Sequence, residues 1–365
     1  MKIRLLKILA CPWCGGPFEA SSYDEPAGAA DPRVDVEIDE INEGLLRSSC
    51  GRVFPIVRGI PRIFDDALEQ FPGFVRAHHA DVPQRASGEP GKPRIDEAID
   101  RTRDSFGYQW TVFHEMAVDF RDNFLFYISP LQETFFKGKI GLDLGCGFGR
   151  HVYNSAQFGA EMVGVDLSEA IESTRQNTRD LPNVHLIQAD VYHLPFQPGV
   201  FDFAYSIGVL HHLPDPERGF RCLIPIVKPG GSLFIWVYSK SRAIANFLLE
   251  SVRAVTTRLP KRLQKALSWT AAVIDWGVFV VPYRNASRIP GIRNLVSRLP
   301  LPRLRVYAQY PFQVVYADWF DRLAAPIRFY YDDRDLTGWL SRASLTHTLI
   351  SPTGLFGWRA YGERP

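Results

Sequence analysis

Ile140-Gly-Leu-Asp143-Leu-Gly145-Cys146-Gly147-Phe-Gly149-Arg150 carries the strongest structural signal in the chain. An apolar run enters it and a helix-compatible stretch leaves it, so it reads as a strand, a tight turn and a helix. Glycines at alternate positions let the chain turn sharply and let a ligand come close to the backbone. Glycines also serve plain turns, so the acids further along must decide. Val163-Gly-Val-Asp166 ends a second apolar strand 23 residues after Asp143, and Leu186-Ile-Gln-Ala-Asp190 ends a third 24 residues later. Acids at the carboxyl ends of consecutive parallel strands face one crevice, where Asp166 can accept both ribose hydroxyls of a nucleoside. Either acid alone could cap the following helix; the joint spacing favours a ligand site.

Apolar runs at 140–144, 162–165, 184–187, 201–207 and 232–238 alternate with helical stretches. That alternation predicts an α/β fold with a parallel sheet. Residues 84–94 carry Gly and Pro without periodicity and read as a linker after a small N-terminal module. The expected division is 1–65 ribbon, 66–104 linker, 105–240 core, 241–310 helical insertion and 311–365 the return to the core. The first eleven residues read as a strand. No run reaches the roughly 18 apolar residues of a membrane span; the nearest, 271–282, is interrupted by Asp275, so no span is expected. Net charge is only +2, but residues 251–310 hold eleven Lys/Arg against one acid, Asp275, leaving the rest acidic.

The three acids and their glycine turn resemble the class I, Rossmann-like, S-adenosylmethionine (SAM)-dependent methyltransferases of the type 11 kind. The resemblance implies a seven-stranded sheet with a small β ribbon in front and a helical insertion. It places Asp143 near the methionine moiety, Asp166 on the ribose and Asp190 at the adenine amine. It adds Gly145, Cys146, Gly147, Gly149, Leu167, Val191 and Ser206 as cofactor contacts. A dinucleotide dehydrogenase shares an acid after its second strand but normally carries Gly-x-Gly-x-x-Gly; the evenly spaced glycines and Asp143 favour SAM.

Methyl transfer at a sulfonium carbon needs alignment and exclusion of water, and a base only if the nucleophile carries a proton. His211 and His212 follow the fourth strand and are candidate bases, although one of them can equally pack or cap a helix. Ser105-Phe-Gly-Tyr108-Gln-Trp110 resembles the aromatic segment that lies over SAM in related bacterial enzymes, making Tyr108 and Trp110 further cofactor candidates, with packing on the sheet as the plain alternative.

Leu5 to Phe18 and Cys50 to Pro61 resemble the halves of the zinc-ribbon activator proteins of methyltransferases. Cys11, Cys14 and Cys50 are candidate zinc ligands, but Arg47 stands where the fourth cysteine belongs. A fourth ligand from His78 or His79, or a metal-free ribbon, are the alternatives. Five cysteines, an odd number, point to a reducing, cytoplasmic compartment. The insertion, with Trp269, Trp276, Phe279 and Tyr283, sits where this family places substrate lids. It suits a hydrophobic, acidic, lipid-linked or carrier-bound small molecule, as in natural-product biosynthesis, with membrane-surface or carrier-protein contact. Nucleic acid is not expected as a partner. An RNA or protein methyltransferase, or a SAM-binding protein without methyl transfer, remain the alternative functions.

Overall fold

The computed structural model describes residues 1–24, 40–79, 81–82, 97–299, 301–354 and 356–365. The 84–94 linker lies outside the described residues. Seven strands form the central sheet: β5 (Ile140–Leu144), β6 (Glu161–Asp166), β7 (Val184–Ala189), β8 (Phe201–Ile207), β9 (Val227–Tyr238), β10 (Thr346–Pro352) and β11 (Gly357–Glu363). Their order is β7-β6-β5-β8-β9-β11-β10, with β5 to β9 parallel and β11 antiparallel to both neighbours. The apolar runs build this sheet because both faces are covered. Val163 and Ala204 join one core with Leu142 and Ile187, while their chain neighbours Met162, Phe203 and Tyr205 join the other with Phe124 and Phe136.

The N-terminal ribbon is an antiparallel meander of β1 (Phe18–Ser22), β2 (Gly44–Ser48), β3 (Val53–Val57) and β4 (Ile60–Ile63). It extends the main sheet: β4 pairs in parallel with β7, Arg62 against Gln188 and Ile63 against Ala189. Met1, Leu5, Phe18 and Phe54 share the core of Leu142 and Ile187. The expected first strand is absent, and Ile3–Ile8 is a 3-10 helix. Met1, Leu5 and Leu9 are buried, but Ile3 and Lys7, which a period of two would bury with them, are exposed.

The insertion is helical, with helices at Ala243–Thr256, Lys261–Asp275, Pro290–Arg298 and Pro302–Tyr307. It runs past residue 310, because Phe312–Ala324 is a further helix packed on Lys261–Asp275. The second of these helices continues to Ala286 and is long and apolar enough to cross a membrane by length and composition. Asp275 does not interrupt it: the carboxylate turns inward to Arg303 Nη1 (2.9 Å) and Trp319 Nε1 (2.8 Å).

The seam between ribbon and sheet rests on a buried guanidinium. Arg62, 1% exposed, donates to Gln188 Oε1 (2.9 Å), Glu172 Oε1 (2.5 Å) and the Val57 carbonyl (3.1 Å). Gln188 in turn donates to the Leu167 carbonyl at 2.9 Å. Removing one partner of a buried pair leaves the others unsatisfied, but Glu172 keeps Arg58 and Arg175 nearby. Arg62→Ala is therefore expected to cost about 2–3 kcal/mol, below the full penalty for orphaning a buried charge. A lowered urea midpoint for the ribbon would show it; an unchanged midpoint would mean that the seam is held by apolar packing alone.

Candidate functional site

Four parallel strands, β5 to β8, end at one rim, and the glycine turn after β5 forms its floor. Gly145, Gly147 and Gly149 all have positive φ, of 78°, 56° and 89°. A Cβ on Gly145 would meet Val209 at 2.4 Å, and one on Gly147 would touch the Trp110 indole at 3.3 Å. The turn thus needs glycine both for its backbone and for its clearance. Gly147 N donates to Asp166 Oδ2 (2.9 Å), and Ser168 donates to Asp166 Oδ1 through both its amide (2.8 Å) and its hydroxyl (2.6 Å). Burial pushes the Asp166 carboxyl up, against these bonds. Asp190 accepts from Tyr192 N (3.1 Å) and pairs with His193 Nδ1 (2.8 Å).

These groups line a cleft of about 1220 Å³, larger than the 300–1,000 Å³ or so of a typical single-ligand pocket. Gly145, Cys146, Gly147, Asp166, Leu167 and Asp190 are on its wall, as are Val191, Trp110 and His212. Asp143, Gly149, Ser206, Tyr108 and His211 are not among the lining residues. Asp143 lies beneath the turn, 1% exposed, its Oδ2 without a hydrogen-bond partner, and burial pushes its carboxyl up to about 8. Ser206 is tied back to the Leu144 carbonyl (3.0 Å), and Tyr108 packs on Phe320.

The two histidines part company. His211 is fully buried against Tyr238 (ring centroids 4.0 Å apart), with neither ring nitrogen partnered. His212 lies beside Phe106, its Nδ1 2.6 Å from the Ile327 carbonyl and its Nε2 3.9 Å from Asp321 Oδ1. Burial pulls His212 down to about 4, only partly opposed by Asp321. Asp321 also accepts from Tyr238 OH and Arg328, each at 2.8 Å. Despite its burial, the Arg328 and His212 charges hold its carboxyl below the usual range.

Sequence reasoning missed this second wall. Asp318, Asp321 and Arg322 lie on the Phe312–Ala324 helix and line the cleft with Arg328 and Tyr330. The available signal was acids set inside an otherwise apolar helical run, Phe312 to Ala324. Conversely, Trp269, Trp276, Phe279 and Tyr283 do not line the cleft; Ala245, Asn246, Leu249 and Lys265 of the insertion do. Trp276 packs on Phe312 and under Arg284, while Trp269 and Phe279 are half exposed.

In the ribbon, the sulfurs of Cys11, Cys14 and Cys50 lie within 4.8 Å of one another. Thiolates about 2.3 Å from a tetrahedral zinc stand about 3.8 Å apart, and Cys11 and Cys50 are separated by 3.8 Å. The three sulfurs therefore fit zinc, which would hold the two halves of the ribbon together. The Ser49 hydroxyl, 3.5 Å from Cys14, with help from the Gly16 amide, lowers that exposed thiol to about 6. No fourth nitrogen or sulfur joins them among the described residues: Arg47 reaches the Asp81 carbonyl, and His78 stacks on Tyr23. Zinc held by three sulfurs and a solvent ligand is expected to leave on dialysis against EDTA, and Cys11→Ser to abolish uptake of added zinc, both read by elemental analysis. One zinc per chain surviving chelation would reveal a fourth protein ligand.

Comparison with known proteins follows this division. Residues 142–235 match the methyltransferase domain family, and residues 2–59 match the Trm112p-like family. A ubiquinone biosynthesis O-methyltransferase of Coxiella burnetii is 30% identical over 132 residues, covering 36% of this chain and 56% of the relative. Its counterpart in Pectobacterium carotovorum is 34% identical over 111 residues, 30% of this chain and 46% of the relative. The chain thus spans about half the length of the curated relatives it matches. Among solved structures, the Burkholderia thailandensis 1,6-didemethyltoxoflavin-N1-methyltransferase aligns with 78% of this chain and 97% of its own, at 14% identity and a TM-score of 0.43. Residues 142–235, which match the methyltransferase domain family, are joined through a shared sheet to residues 2–59, which match the Trm112p-like family.

Proposed function

We propose that this chain is a SAM-dependent methyltransferase acting on a small, largely apolar acceptor that carries a hydroxyl. The observation that carries the reading is the cleft rim, where Gly147, Asp166 and Asp190 line a space roomy enough for a nucleoside and a second molecule. The fit to the cofactor is supported by the unpartnered Asp143 Oδ2 beneath the turn and by the Trp110 indole over Gly147. The five free cysteines suit a reducing cytoplasm.

In this reading Asp166 offers its carboxylate to the ribose hydroxyls and Asp190 lies at the base. Gly145, Cys146, Gly147, Leu167, Val191 and Trp110 shape the cleft around them, with Asp143 acting from below. When bound, SAM supplies an activated methyl group on a sulfonium sulfur. The chain's task is then to align the acceptor, exclude water and take up its proton. A carbonyl only accepts hydrogen bonds, so the contact with Ile327 O puts the His212 proton on Nδ1 and leaves the Nε2 lone pair free. An imidazolium formed at Nε2 faces Asp321, which stabilises it. Phe106, Tyr238 and Tyr330 give the acceptor side an aromatic wall. Two of the arginines lining the cleft, Arg322 and Arg328, are already paired with Asp318 and Asp321, which favours an apolar body over an acidic one beside them. The O-methyltransferase names of the relatives support a hydroxyl as the attacked group.

Titration calorimetry is expected to show binding of SAM and S-adenosylhomocysteine, weakened by about 2–4 kcal/mol in Asp166→Ala, as for a lost charged hydrogen bond. No binding of either ligand would remove the reading. Incubation with methyl-labelled SAM should label apolar phenols rather than RNA or protein; label in a macromolecule would reassign the acceptor. In an NMR titration His212 should stay neutral down to about pH 4, whereas the unfolded chain takes up that proton near pH 6.5. Its contribution to stability is accordingly full above pH 6.5 and lost as the pH falls towards 4. A midpoint near 6.5 in the folded protein would show that water reaches the ring.

A further inference from the structure

The helical insertion has its polarity the wrong way round for a helix facing water. Of the 22 large hydrophobic residues exposed among the described residues, 18 lie between Ile244 and Val306. On Lys261–Asp275 the buried positions are Gln264, Ser268, Ala272 and Asp275, which recur at helical spacing on one face. The outward positions include Leu263, Leu267, Trp269 and Ile274. Ala243–Thr256 repeats the pattern: Arg253 and Thr256 are buried, while Ile244 and Phe247 are 80% and 71% exposed. A water-facing helix buries its apolar stripe and exposes its polar one. Here two successive helices, both packed on the Phe312–Ala324 helix, do the reverse, and their apolar exposure exceeds scattered surface exposure.

The charge around the patch identifies what covers it. Arg258, Arg262, Arg288, Arg293 and Arg298 are exposed, and the two acids of 243–310 are both paired, Glu250 with Arg253 and the buried Asp275 with Arg303. An apolar face rimmed by cations complements the headgroup region of an anionic bilayer. Pairing with a second copy would bring two cationic rims together. Crossing the bilayer would expose the polar face of Lys261–Asp275, which is occupied by the Phe312–Ala324 helix and by Arg303 and Trp319.

We propose that the outer face of helices 243–256 and 261–286 lies on an anionic membrane surface, embedded in the interfacial region. Ala245, Asn246, Leu249 and Lys265 of the same helices line the cleft. A docked chain therefore opens its acceptor side next to the acyl region. That last step rests on the methyltransferase reading; the docking does not.

The test is flotation of the full-length protein with phosphatidylcholine vesicles, with and without about a third phosphatidylglycerol. The protein is expected to float with the anionic vesicles and to lose at least about tenfold of that binding at 1 M salt, where charges beyond about 3 Å are screened. Phe247→Asp with Phe279→Asp, and separately Arg288→Glu with Arg293→Glu, should each abolish flotation while SAM affinity, measured in solution, stays unchanged. Equal binding to neutral vesicles, no binding at all, or resistance to alkaline carbonate extraction overturns surface docking. A stable dimer that the same substitutions dissociate, or salt-resistant RNA binding through the arginines, also overturns it. Flotation needs no turnover, so its failure leaves the methyltransferase reading intact, and loss of SAM binding leaves the docking intact.

Discussion

Parallel pairing of β5 with β6 and β8, and of β6 with β7, is the constraint on which the site depends. It sets Asp143 opposite Gly164 and Asp166 opposite Gln188, so that the glycine turn, Asp166 and Asp190 reach one rim together. Because side chains alternate along a strand, a slip of one residue in β6 would carry Asp166 to the other face. The register is reinforced where it matters, since the bond from Gly147 N to Asp166 joins the turn after β5 to the end of β6. The same rim explains why burial is tolerable there: backbone amides and Ser168 meet the Asp166 carboxylate in place of water.

The ribbon covers the edge strand β7 and, in doing so, touches the supports of both rim acids. Arg62 reaches the Leu167 loop through Gln188, and Leu167 follows Asp166 directly. Trp13 stacks on Phe54 at 5.4 Å and on His193 at 5.8 Å, and His193 holds Asp190. Both routes run from the ribbon core to the cleft through rigid, buried or stacked groups. The ribbon therefore contributes to the geometry of the rim as well as to the closure of a sheet edge.

The alternation of apolar runs and the acid spacing made the central sheet and the rim legible, because both follow from local periodicity. What escaped was set by tertiary contacts. Ser206 belongs to a strand that ends at the rim, yet its hydroxyl is tied back to the Leu144 carbonyl and it does not line the cleft. Both histidines read as candidate bases, with packing as the alternative for one of them; in the 3-10 turn Leu210–His212, His211 is buried with both ring nitrogens unpartnered and only His212 lines the cleft. Asp321 and Arg328 lie more than a hundred residues after His212, and nothing local relates them to it. Asp275 read as a break in an apolar run, although an inward carboxylate with two hydrogen-bond partners leaves the helix continuous. The lid aromatics failed for a related reason: their attraction to a pocket was inferred from type, and type does not determine which face of a helix is inward.

That question of face is answered by how the helical cap is fastened. Its attachments to the Phe312–Ala324 helix and the strand of chain after it are largely polar: Thr256 Oγ1 to Leu323 O (2.7 Å), Arg253 to Ala325 O, and Trp319 to Asp275. The leading helix Glu97–Val112 holds the same element from the other side through Ser105 to Ala324 O (2.9 Å) and Gln109 to Ala317 O (3.4 Å). A cap secured by hydrogen bonds in a low-dielectric seam is specified in position while committing few of its large apolar residues. In a helix anchored by its hydrophobic stripe, Leu263, Leu267 and Ile274 would be committed inward. Here they are free to face outward, so the chemistry of the anchor and the chemistry of the exposed face are two results of one arrangement.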